Sequence, residues 1–287
     1  MLLQTPLTLV MALERPLTCY VTEYRRRWDQ MGQFDIPAVV DYVLATTGRP
    51  KLSYVGYSLG CAVFFIAVDG RPDLNDKVDV MVALAPSSAT RNFRNWPMLL
   101  SPSLVKLRPT LKALGVTVVL DNDSPALNAS KTLCRQTYAA ALLCRTFLES
   151  ISGFNGRNFD LALLPVFNGV VPAGTSVDTM VQFVQNNMAG QTFQAFDYGA
   201  EENRRVYGSL RPKTYDLSRV TTPVHIFFSK NDLIVDYRDV LWLAAQLSNV
   251  ASLNLASDFK FSHLDYVLGS NAKSVVYDKI FPLLPDP

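Results

Sequence analysis

Apolar residues recur at helical spacing at Ile36, Val39, Val40, Val43 and Leu44, which places them on one face of a 3.6-residue repeat. Pro37 suits a first turn and Gly48 a stop, so a helix is predicted over residues 36–44. A short strand over 52–55 follows. The run CAVFFIAV over 61–68 is apolar throughout between polar flanks and reads as a buried helix, while VDVMVALA over 78–85, halted by Pro86, reads as an interior strand. The same alternation resumes near the C-terminus. A strand at Val224–Phe228 is introduced by Pro223. A helix over 237–247 carries Val240, Leu241, Ala244 and Leu247 on one face, a strand at Val250–Leu255 comes next, and a last helix starts at Asn271. Strands alternating with helices of this length predict an α/β fold with a mostly parallel sheet flanked by helices.

Between about residues 87 and 215 the pattern changes. Helical periodicity dominates and no interior strand is expected. One helix opens at Thr175-Ser176-Val177-Asp178, turns Val177, Met180, Val181 and Val184 to one face, and stops at Gly190. The amphipathic stretch 104–114 is read as packing within this region rather than as lipid contact. The expected organisation is therefore an N-terminal part of a core over 1–86, a helical insertion over 87–215, and the rest of the core over 216–287.

A net charge of +2 with a pI near 8.3 is too weak a basic balance for nucleic-acid binding. The cluster Arg25-Arg26-Arg27 reads as a solvated helix face. No apolar run approaches the ~18 residues of a membrane span, so no transmembrane segment is expected. The start, MLLQTPLTLVMALERPL, lacks a basic n-region and makes a poor signal peptide. Asn128-Ala129-Ser130 is a glycosylation sequon, usable only in a secreted chain. Of the four cysteines, Cys134 and Cys144 lie close enough for a local bridge, while Cys19 and Cys61 look unpaired. Compartment and oligomeric state stay open on composition.

The chemistry concentrates in YVGYSLGC. A serine between two glycines, after a strand and before a helix, has the form of a nucleophile elbow, in which the turn lifts the hydroxyl clear of the sheet. Ser58 is the candidate nucleophile, and the backbone N–H of Leu59 a candidate oxyanion donor. The chain has two histidines. His225 sits inside the strand VHIFF and reads as a packed residue, whereas His263 lies in a loop before the last helix and is the candidate base. The orienting acid should follow a strand between serine and histidine. Asp232 fits, and is preferred over Asp236, whose place suits a helix N-cap; Asp265 reads as structural. No cofactor and no metal is expected.

In order along the chain, FDIPAVVDYVL, KLSYVGYSLG, SGFNGRNFD, PAGTSV, QAFDYG, KNDLIVDYRDV and FSHLDYVLG resemble the acid lipase family of α/β-hydrolases, the gastric and lysosomal group. The resemblance runs from about Trp28 to Ile280. It implies an α/β-hydrolase core with a helical cap over an acyl-binding cleft, a lipid ester substrate such as a triacylglycerol or sterol ester, met at a lipid–water interface, and a secreted or lysosomal enzyme. It implies a disulfide in the cap, where Cys134 and Cys144 lie, and by motif position its triad falls on Ser58, Asp232 and His263.

Two departures qualify that expectation. The family's elbow usually carries histidine before the serine and glutamine after it; here Tyr57 and Leu59 stand in those places. The residues before Ser58 contain neither a histidine nor an HG-type loop for a second oxyanion donor, and Met1-Leu2-Leu3-Gln4 is followed by Thr5-Pro6. The first sheet strands are thus expected to be missing, with the chain shortened at its N-terminus. The alternative that follows is an impaired lipase remnant acting as a lipid-binding or regulatory protein. A thioesterase or other acyl hydrolase on the same fold ranks lower.

Overall fold

The structure is a computed structural model that describes residues 27–97, 102–156 and 158–285 together with the backbone of residues 9–12. Its strands are β1 (Leu9–Ala12), β2 (Leu52–Tyr57), β3 (Val78–Leu84), β4 (Val118–Val119), β5 (Thr175–Ser176), β6 (Val224–Phe228) and β7 (Val250–Leu255). Among the described residues one sheet forms in the order β1-β2-β3-β6-β7, and every neighbouring pair is parallel.

Burial explains why the central strands read as continuous apolar runs. A parallel sheet covered by helices on both faces has no solvent face to alternate with. In β3 all residues but Asp79 are buried. At the edge, β7 alternates half-buried with exposed positions instead. The helix Leu59–Gly70 is buried from Leu59 to Asp69, which is why its sequence shows no polar face. Its charged member, Asp69, is paired with Lys213 and accepts a hydrogen bond from the Asp216 N–H, as a buried carboxylate requires. Helix Ile36–Thr47 ends at Gly48, and helix Tyr237–Gln246 covers the stretch read as 237–247.

Three expectations need correction. The sheet does not begin at β2, because Leu9–Ala12 pairs in parallel along it, with Leu9 opposite Ser53 and Ala12 opposite Gly56. That four-residue strand lies inside the stretch read as a poor signal peptide; parallel pairing is non-local, so nothing in its neighbours announces it. Arg27 is not on a solvated face. It caps the turn Trp28–Gln30, pairs with Asp29 and Asp178, and lies over the rings of Phe196 and Tyr198; Arg25 and Arg26 fall outside the described residues. The helical region does contain strands, the two-residue antiparallel ribbon β4–β5. The last helix begins where expected, directly after Asn271, as a π-turn, Lys273–Tyr277, and continues as the short helix Asp278–Ile280.

Between β3 and β6 the chain runs mainly as the helices Pro102–Ala113, Pro125–Gln136, Tyr138–Ser152, Leu164–Val170 and Val177–Met188. Ser176 caps the last of these by accepting from the Thr179 N–H at 2.8 Å. Leu104, Val105 and Leu111 pack on Val177, Val181 and Phe196, while Leu107 and Leu114 of the same amphipathic stretch are exposed. Cys134 and Cys144 are joined, tying helix Pro125–Gln136 to helix Tyr138–Ser152. Cys61 is buried and free, and burial pushes its thiol well up; Cys19 lies outside the described residues. Among the described residues no helix is long and apolar enough to cross a membrane.

Candidate active site

Ser58 stands where β2 turns into helix Leu59–Gly70. Its φ of 53° and ψ of −115° are a strained conformation for a residue with a side chain. The turn is held by three backbone bonds: the Ser58 N–H donates to the Leu84 carbonyl at 2.9 Å, and the Ser58 carbonyl accepts from Cys61 and Ser87, each at 3.1 Å. Gly56 is required by close packing. A Cβ there would meet the Cys61 nitrogen at 3.0 Å and its Sγ at 3.1 Å. Leu59 is the first residue of the helix, so its N–H has no acceptor within the helix.

His263 and Asp232 come together from two loops at the same edge of the sheet. His263 Nδ1 lies 2.7 Å from Asp232 Oδ2, with both residues buried. A carboxylate acceptor places the proton on Nδ1 and leaves Nε2 as the acceptor. The other oxygen of Asp232 takes the N–H groups of Ile234 and Val235 at 2.8 and 2.7 Å, which fixes the carboxylate's orientation. Asp236 serves differently. It caps helix Tyr237–Gln246 and pairs with Arg94 and Arg238. His225 stays within β6, bonded to Ser252 Oγ at 2.8 Å, and burial holds its pKa below the usual histidine range.

Tyr57, directly before Ser58 in the chain, reaches His263. Its ring lies against the imidazole with centroids 4.9 Å apart, and its hydroxyl donates to the His263 carbonyl at 2.8 Å. Among the described residues no hydrogen bond joins Ser58 Oγ directly to His263; such bonds commonly close only once substrate is bound.

The acid and histidine loops are strapped together by Ser152, Phe154 and Asn155, part of the SGFNGRNFD motif. The Ser152 carbonyl accepts from both Leu233 N and His263 N at 3.2 Å. Asn155 donates to Asp265 Oδ2 at 2.8 Å, and the same carboxylate oxygen takes the Ser262 N–H at 2.6 Å. Asn231 reaches the Phe154 and Lys260 carbonyls. From the other side Arg94 donates to the carbonyls of Lys230 and Asp232. Burial raises the carboxyl groups of Asp265 and nearby Glu149 above the ordinary range. The second oxyanion donor would be sought after β1, and residues 13–26 lie outside the described residues.

The chain is 32% identical over 260 residues to lipase 1 of Drosophila melanogaster, a match that takes in 90% of this chain and 56% of that protein. By sequence, the chain is similar to lipases of the gastric type. Gastric triacylglycerol lipase of Bos taurus is 31% identical over 264 residues, 90% of this chain and 64% of its own length. Human lipase member K is 30% identical over 263 residues, with 90% and 63% covered. The chain therefore spans somewhat under two thirds of the length of the curated relatives it matches. No family model matches it. Among solved structures, the monoglyceride lipase of Saccharomyces cerevisiae superposes with a TM-score of 0.49 at 13% identity, covering 88% of this chain and 67% of that one. A monoacylglycerol lipase from Paleococcus ferrophilus gives 0.47 at 15% identity, covering 90% and 76%. The fold itself is α/β, a parallel sheet with flanking helices and a serine at the turn from β2 into helix Leu59–Gly70.

Proposed function

We propose that the chain is a serine ester hydrolase of the lipase type, working through an acyl-enzyme on Ser58. The observation that carries the reading is the 2.7 Å bond from His263 Nδ1 to the buried carboxylate of Asp232, beside a strained serine turn at the sheet's edge. Ser58 Oγ attacks the ester carbonyl while Nε2 of His263 takes its proton. The tetrahedral oxyanion is met by the Leu59 N–H at the head of helix Leu59–Gly70, where the helix dipole also favours negative charge. Protonated His263 then gives its proton to the leaving alcohol, and water repeats the sequence to release the acid. Asp232 holds the tautomer and stabilises the imidazolium. No metal or cofactor enters these steps.

A triacylglycerol or sterol ester is the substrate class we assign, supported by kinship to a gastric triacylglycerol lipase. The helices of residues 87–215 then form the cap over the acyl cleft. A secreted or lysosomal setting follows from the same kinship and from the Cys134–Cys144 bond, since disulfides persist in oxidising compartments. Asn128, exposed near the start of helix Pro125–Gln136, is then the glycan acceptor.

The test is turnover of p-nitrophenyl esters and triacylglycerol by folded protein from about pH 4 to about pH 8, with Ser58→Ala as control. Turnover lost in the variant supports the reading. A folded wild type that hydrolyses neither substrate defeats it and leaves the non-catalytic lipid-binding alternative.

A further inference from the structure

We infer that Tyr57 is a positioning residue that sets where the His263 imidazole stands relative to Ser58, an inference that rests on the ester-hydrolase reading above. Three features of His263 are held from outside its own loop. Its side chain is bonded to Asp232, its backbone N–H donates to the Ser152 carbonyl at 3.2 Å, and its carbonyl accepts from the Tyr57 hydroxyl at 2.8 Å. The first two ties bind the histidine loop to the acid turn and to the end of helix Tyr138–Ser152. Only the third, together with the ring contact of the same side chain, runs to the nucleophile's own strand.

Tyr57 is well placed for that work. It is the last residue of β2, directly before Ser58, and it stands in register with Leu84 of β3. The sheet therefore fixes its backbone, and the nucleophile is one peptide bond away. From that anchor the phenol crosses to a residue 206 positions later in the chain. Its ring lies 31° from parallel with the imidazole at 4.9 Å. Its orientation is limited in turn by Tyr266, centroid to centroid 6.1 Å, and Tyr266 is itself buried edge-on against Phe261 at 4.9 Å. This aromatic row links the end of β2 to the histidine loop. Sliding the imidazole along this row would open the gap that a proton must cross, and misplacement by about 1 Å costs on the order of 100-fold in rate.

The row has a second consequence for chemistry. When His263 takes the serine proton it becomes a cation, and a neighbouring aromatic ring stabilises a cation near its face. Tyr57→Phe keeps the ring and loses the hydroxyl strut; Tyr57→Leu loses both. The two variants therefore grade the effect.

The experiment measures kcat and KM on a short soluble ester, the rate of fluorophosphonate labelling, thermal stability, and the NMR resonance of the His263 Nδ1 proton, for wild type and both variants. The expected result is a kcat lower by about tenfold in Tyr57→Phe and by about 100-fold in Tyr57→Leu. KM should stay unchanged, the melting temperature of the Phe variant should hold, and its Nδ1 proton signal should broaden as the loop loosens. Unchanged kcat and labelling in a folded Tyr57→Phe protein overturn the inference, and so does a fall that only tracks lost stability. If the wild type neither labels nor turns over, the ester-hydrolase reading fails separately. The Nδ1 resonance then still decides: broadening in the Phe variant supports the strut, and an equally sharp signal in both proteins overturns it.

Discussion

The two halves of the candidate site are built by different means. The nucleophile half, from β2 through Ser58 into helix Leu59–Gly70, lies within one short stretch of chain and is held by apolar burial and backbone bonds. The acid–base half, the loops of Asp232 and His263, is held chiefly by Ser152, Asn155 and Arg94 from segments far away in sequence, with Asn231 of the acid loop tying across to the Lys260 carbonyl. Burial secures a turn by the area removed from water, and most of that area survives a single substitution. A polar strap is different, because each tie is short, directional and costly to leave unmade. The halves should therefore fail separately: chemistry at Ser58 can be lost with the fold intact, while damage to the strap should loosen the histidine first.

The largest effect is expected at the nucleophile. Ser58→Ala should lower kcat on a p-nitrophenyl ester by at least about 10⁴-fold while circular dichroism and denaturation midpoint stay at wild-type values. Next comes the strap. Gly153 has a φ of 121°, and a Cβ there would sit 2.1 Å from the Asn231 carbonyl oxygen. Gly153→Ala should cost about 3 kcal/mol or more in urea denaturation, from strain and overlap together, and should lower kcat as well. If this variant kept full stability, the strap would not be a strap.

Asn155→Ala is milder. It takes one donor from the buried Asp265 carboxylate, leaving the Ser262 N–H, and should cost about 1–3 kcal/mol. Its kcat should fall further than an equal loss of stability in the nucleophile half would bring about. The smallest difference concerns pH. Burial raises Glu149, Asp265 and Asp239 above the ordinary carboxyl range, so the folded state holds these protons more tightly than the unfolded chain. Their stabilising contribution is full below the unfolded carboxyl range and is lost as pH rises through the raised folded values. In the nucleophile half, burial pushes up Tyr54 and Cys61, groups that stay neutral throughout the acid range. Glu149→Gln should therefore flatten the acid-side gain in denaturation midpoint, and Cys61→Ser should leave its slope unchanged.

The same contrast decides how much could be read from the sequence. The nucleophile half was legible because its requirements are local: two glycines, a serine, an apolar strand before and an apolar helix after. Asp232 and His263 were legible through chain order and through having only one histidine outside a strand. The structure brings these two into contact, keeps His225 in β6, and makes Asp236 a helix cap. What holds the pair was hidden. The Ser152 carbonyl reaches Leu233 and His263 across about 80 and 110 positions through backbone atoms, which leave no mark in residue identity. Asn155 acts through its side chain, but its partner Asp265 lies 110 positions away. Tyr57 showed only as an unusual neighbour of the serine, since its hydroxyl partner is a carbonyl that any residue would offer. β1 escaped because four apolar residues without flanking signals cannot declare a parallel partner.

The central claim is that Ser58 is an activated nucleophile, with His263 as its base. The most direct measurement is fluorophosphonate labelling of the folded chain, followed by peptide mapping, in wild type and His263→Ala. The account predicts one label per chain, on Ser58, and its loss in the histidine variant while both proteins remain folded. A folded wild type that takes no label, or takes it on another residue, would contradict it.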